Sequence, residues 1–160
     1  MCTAIYIASE VPLPLVEWRD EAPCFYLTPL DARTEVIRPF FAGSYVYYVG
    51  SHQGCGCGLA YQPYPGGDDE EATLTQRDWE LFATYLASAL ERVPEIELFT
   101  CWEGDQHEPP HVRVSITPDD IREGRFRYEE GTYASIRLRS VTGTLSGAIR
   151  VVQHDRVPRG

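Results

Sequence analysis

The chain has 160 residues, of which 43% are hydrophobic and 24% charged, and a formal net charge of −10. A domain of this length buries roughly 70% of the surface its unfolded chain exposes, so neither disulfides nor a metal is needed merely to fold. No apolar run approaches the roughly 18 residues of a membrane span, and the chain contains no lysine, which excludes Schiff-base and pyridoxal phosphate enzymes and P-loop nucleotide hydrolases.

Met1-Cys2-Thr3-Ala4-Ile5-Tyr6 lacks a basic region followed by an apolar core and a cleavage site, so the expectation is a soluble, cytoplasmic protein. In that compartment five cysteines, an odd number, read as free thiols or ligands and not as a disulfide framework. Loss of Met1 would expose Cys2 as an N-terminal nucleophile, although 160 residues is short for the four-layer hydrolases that use one.

Thr3 to Ala8 is nearly unbroken apolar sequence with β-branched and aromatic residues, as in a strand buried on both faces. Phe25 to Thr28 is a weaker strand, Tyr45 to Val49 a stronger one, and the segment between them carries no clear pattern. Pro63 to Gly67 and the acidic run Asp68-Asp69-Glu70-Glu71 read as a solvated loop. The principal helix is predicted at about 75–93, with Thr75 and Asp78 as a capping box, a stripe of Trp79, Phe82, Leu86, Leu90 and Val93, and Pro94 as its stop.

Glu97 to Trp102 and Val112 to Ile116 are further strands separated by a proline-containing loop. Thr117-Pro118 begins a short helical turn that Gly124 can close, and Phe126–Tyr128 with Thr132–Leu138 suggests a hairpin around Glu130-Gly131. The tail from about 140 has no clear period. These elements predict an α+β fold with 1–160 as a single domain: two layers, a mostly antiparallel sheet and one principal helix. The nine arginines from His111 onward read as solvated strand faces; with so acidic a chain, nucleic acid is not an expected partner, and neither is a membrane.

One stretch departs from ordinary composition: Gly50-Ser51-His52-Gln53-Gly54-Cys55-Gly56-Cys57-Gly58. Cys55, Cys57 and His52 offer thiolate and imidazole ligands suited to zinc or iron, although structural zinc sites usually space paired cysteines more widely than Cys-x-Cys. Cys101, His107, His111 and Cys2 are the candidates for a fourth ligand. Cys101 joins only under one topology: if the Tyr45 strand leads through the helix to a parallel Glu97 strand, both C-terminal ends share an edge. If Cys57 to Tyr61 instead returns as a hairpin strand, Cys101 lies roughly 15 Å away at about 3.3 Å per residue.

Two other readings of the loop remain. In an extended strand the Cα atoms of Cys55 and Cys57 are nearly 7 Å apart, at the limit for a disulfide, so a redox pair requires a bend at Gly56. Alternatively the cysteines simply pack as small hydrophobes in a non-catalytic binding or structural protein. In the loop Trp102–Pro110, Glu103, Asp105, His107 and Glu108 could bind a hard cation or supply acid–base chemistry, but acidic loops are usually only solvated. The glycine-cysteine stretch, with Cys-Trp-Glu-Gly-Asp at 101–105 and Ile-Thr-Pro-Asp-Asp at 116–120, resembles a family of small uncharacterised bacterial proteins over most of the chain. That resemblance implies a bacterial cytoplasmic origin and brings no activity, cofactor or partner with it.

Overall fold

A computed structural model describes residues 2–63, 69–139 and 150–151. Its strands are β1 (Thr3–Ser9), β2 (Tyr26–Pro29), β3 (Tyr45–Gly50), β4 (Ile96–Trp102), β5 (Val112–Ile116), β6 (Thr132–Ile136) and β7 (Arg150–Val151). They form one sheet in the order β2-β3-β1-β4-β6-β5-β7, antiparallel throughout except for the β5/β6 pair. Its helices are α1 (Cys57–Ala60), α2 (Asp69–Leu90) and α3 (Pro118–Arg122), with a 3-10 turn at Glu35–Phe40. The predicted α+β class, mostly antiparallel sheet and principal helix are all present.

Alternation along the central strands makes two cores. In β1, Ile5 and Ile7 face α2, whereas Ala4, Tyr6 and Ala8 face the other way. The register with β4 pairs Ile7 with Leu98 and Tyr6 with Phe99, so each face is continued by its neighbour. Trp79, Phe82, Ala83, Leu86 and Leu90 of α2 cover the first face, which explains their helical spacing. The segment without a sequence pattern covers the second: Ile37 is fully buried there and Phe40 lies 5.7 Å from Phe99. Glu97 fastens that segment, because its buried carboxylate accepts hydrogen bonds from the Ala42 and Gly43 amides and from the Tyr133 hydroxyl.

Three expectations change. Helix α2 begins at Asp69, six residues before Thr75, because the acidic run supplies a first turn that suits the positive end of the helix dipole. Thr75 and Asp78 are therefore mid-helix and fully buried, and they anchor other segments instead of capping their own. The hairpin at Glu130-Gly131 does not form: β6 pairs with β4 and β5, and Phe126 and Tyr128 pack into the core as an edge-to-face pair 4.8 Å apart. By contrast Thr117 does cap α3, in a capping box with Asp120, and Gly124 closes the turn at φ +65°. Residues 64–68, which include most of the expected loop, and most of the tail from 140 lie outside the described residues. Among those described, no helix is long and apolar enough to cross a membrane.

Candidate metal centre

The loop after β3 is built by its own backbone. Ser51, fully buried, ties both ends together: its amide and hydroxyl both donate to the Cys55 carbonyl, at 2.9 and 2.6 Å, and its Oγ accepts from the Gly58 amide at 3.1 Å. Gly56 then docks on β1, donating its amide to the Thr3 carbonyl at 3.1 Å; a Cβ there would stand only 2.6 Å from that oxygen. Its φ of −69° and ψ of −10° are helical, so the chain bends between the two cysteines and runs into α1. The hairpin alternative for Cys57 to Tyr61 is thereby replaced by a turn of helix.

That docking brings the loop against the beginning of β1. The Sγ atoms of Cys2, Cys55 and Cys57 all lie within 4.8 Å of one another, the one such group of potential metal ligands among the described residues. They are close enough to bind a metal ion. Four sulfurs about 2.3 Å from a tetrahedral zinc ion stand roughly 3.8 Å apart, so small side-chain rotations suffice. Cys2 is exposed, and the other two are half-buried. Backbone amides already point at the sulfurs: Thr3 donates to Cys57 Sγ at 3.2 Å, and Cys57 donates to Cys55 Sγ at 3.4 Å. Such N–H bonds favour thiolate over thiol and orient the sulfur.

Without a cation the charge is unwelcome. Burial pushes the Cys55 thiol up to about 12; the Cys57 amide opposes the rise, and the neighbouring Cys57 and Cys2 thiols add to it. A bound dication reverses that balance by supplying the opposite charge. The rings of Tyr26 and Tyr48 wall the same side, 6.2 Å apart, and the Tyr26 hydroxyl donates to the Gly54 carbonyl at 2.6 Å, holding the loop tip. Burial and the nearby Cys55 thiol both raise the Tyr26 phenol above its ordinary value.

The remaining sequence candidates are placed elsewhere. His52 turns away from the sulfurs to α2, where Nδ1 lies 2.7 Å from the fully buried Asp78 Oδ2 and Nε2 lies 3.0 Å from Glu71 Oε1. Both ring nitrogens are engaged. β3 and β4 are each antiparallel to β1 and so parallel to one another, which puts both C-terminal ends at one edge. Cys101 nevertheless lies outside the three-sulfur group, because β1 stands between those strands and the loop docks on Thr3. Its side chain, 2% exposed, packs in the second core opposite Ala4, and burial raises its thiol to about 12. His107 is exposed beside Glu108, and the His111 ring lies against Gly131.

Two residues that organise the loop were given other roles by sequence, Asp78 in a helix cap and Glu71 in a solvated acidic run. Asp78 accepts from the amides of Phe25 and His52, each at 2.8 Å, as well as facing the imidazole. Glu71, read as part of a solvated run, meets both His52 and Gln53. The available signal was position: Thr75 and Asp78 fall on the same helical face as Phe82 and Leu86, and polar residues on a buried stripe need partners.

Fold and site together define an α+β protein with a three-thiol cluster at one end of its sheet. Comparison with protein-family models, with curated proteins and with solved structures found no match.

Proposed function

We propose that this chain is a metal-binding protein in which Cys2, Cys55 and Cys57 hold a zinc or iron ion. The observation that carries this reading is the convergence of three sulfurs within 4.8 Å from the start of β1 and a loop that follows β3. Two further features support it. Soft thiolates suit zinc and iron, and two of the sulfurs already accept backbone amides of the kind that stabilise metal-bound thiolate. With both nitrogens of His52 occupied, the fourth position falls to a water molecule or an outside ligand, the arrangement of a site that exchanges or activates what it binds.

The test is metal content by mass spectrometry on untagged protein purified under reducing conditions, beside a Cys55→Ser/Cys57→Ser double variant and a Cys101→Ser variant. About one equivalent of zinc or iron in the native chain and in Cys101→Ser, and none in the double variant, is the expected result. No metal in the native chain, or retention in the double variant, overturns the proposal.

A further inference from the structure

We propose that the same cluster, when free of metal, carries out thiol–disulfide exchange with small disulfides, Cys2 capturing the substrate and Cys55 resolving it. This goes beyond the metal reading and does not depend on it; it needs only the geometry of the sulfurs.

Three observations carry it. By residue exposure Cys2 is the open member of the three, whereas Cys55 and Cys57 are half-buried, so an incoming disulfide meets Cys2 first. Next, the Cys2 and Cys55 sulfurs already lie within 4.8 Å, so side-chain rotation of an exposed residue is enough to bring them toward bonding distance. Finally, the loop sulfurs are placed unequally: Cys57 is fixed in the first turn of α1 and accepts the Thr3 amide at 3.2 Å, whereas Cys55 lies in the loop ahead of that helix. Cys55 is therefore the freer to move. The helical bend at Gly56 keeps it turned back toward β1 instead of away along an extended strand.

The chemistry balances in two displacements. The Cys2 thiolate attacks one sulfur of RS–SR, forming Cys2–S–S–R and expelling RS⁻. The Cys55 thiol, kept protonated by its burial, gives up its proton to the departing sulfur as it attacks the Cys2 sulfur of that mixed disulfide, forming the Cys2–Cys55 bond and releasing the second thiol RSH. Two protein thiols are oxidised, one disulfide is reduced to two thiols, and the protons lost by the cysteines go to the leaving thiolates. The product cannot hold a metal at those sulfurs, so metal and disulfide are mutually exclusive occupants.

The probe is cystamine, added to reduced chain stripped of metal by a chelator, followed by alkylation and peptide mass mapping. The expected result is loss of two of the five free thiols, with Cys2 joined to Cys55 and with Cys24, Cys57 and Cys101 alkylated. Cys55→Ser should stop at the cysteamine adduct on Cys2, and Cys2→Ser should leave the loop thiols unreacted. Cys57→Ser separates the two readings: it removes a metal ligand but keeps the exchanging pair, so metal is lost while the Cys2–Cys55 bond still forms. A lasting adduct on Cys2 in the native chain, or a disulfide that omits Cys2, overturns the exchange proposal whatever the metal content. Native chain that takes up no metal yet forms the Cys2–Cys55 bond overturns the metal reading alone.

Discussion

The two ends of the loop after β3 have opposite characters. At the histidine end each polar group has a partner: Asp78 serves two backbone amides and an imidazole nitrogen, and Glu71 takes the other nitrogen. At the cysteine end three ligand atoms face one another, two of them accepting backbone amides, from Thr3 and Cys57. A closed buried network fixes a conformation, whereas converging soft ligands are a site for something else. His52, by sequence a possible third ligand, thus belongs to the scaffold, and the three sulfurs remain as the candidate ligands.

Breaking the closed end should have the largest effect. Asp78→Ala leaves the Phe25 and His52 amides and the imidazole without their buried acceptor, and each buried donor left unsatisfied costs about 1–3 kcal/mol. Urea unfolding should show a lower midpoint with an unchanged slope. A loss below about 1 kcal/mol, the size of one ordinary hydrogen bond, would mean that the histidine end is not the anchor.

Gly56→Ala tests the join between the ends. Its methyl group would meet the Thr3 carbonyl at 2.6 Å and Ile5 Cγ1 at 2.9 Å, and such overpacking typically costs about 1–3 kcal/mol. Because the same contact docks the loop on β1, metal uptake should fall along with stability. Full metal binding in a destabilised Gly56→Ala chain would show that the sulfurs converge without the dock.

Cys101→Ala sharpens the comparison from outside the loop. This thiol is buried and matched with Ala4 across β1 and β4, so its truncation should cost on the order of 1 kcal/mol, as removal of a small core group does. Metal content should be unchanged. Loss of metal with stability preserved would reassign Cys101 to the site.

How much of this was legible depended on the range of the interactions. The unbroken apolar run of β1, buried on both faces, and the stripe from Trp79 to Leu90 are local patterns, and they are found where sequence put them. The glycine-cysteine stretch was visible by composition. Its partners were not: Thr3 and Cys57, hydrogen-bonded in the fold, are 54 residues apart in the chain, and Cys2 was one of four equivalent candidates until the dock on β1 selected it. Asp78 satisfied a local capping pattern as well as it satisfies its tertiary role, and tertiary burial decided between them. Phe126 and Tyr128 have strand-like composition, yet β6 already has β4 and β5 as neighbours, so they pack on the core instead.

The last effect is silent at neutral pH: a pH dependence of stability to which the open end contributes. Burial raises the Cys55 thiol from 9.0 to about 12, so between those values the folded, metal-free chain keeps a proton that the unfolded chain has lost. Stability is therefore unaffected by this group below about pH 9 and declines as pH rises toward 12. Cys101, raised to a similar value, contributes in the same window, so the Cys55 share is read as the flattening of the alkaline decline in Cys55→Ser. Metal binding carries the opposite sign. The thiols must release protons to ligate, so between about pH 6 and pH 8 affinity should rise with pH, by up to about tenfold per unit for each proton released. Chelator competition across that range measures the slope directly. A slope of zero would mean that the metal is held by groups already deprotonated, carboxylates and not sulfurs, and the contrast between the two ends of the loop would lose its chemical basis.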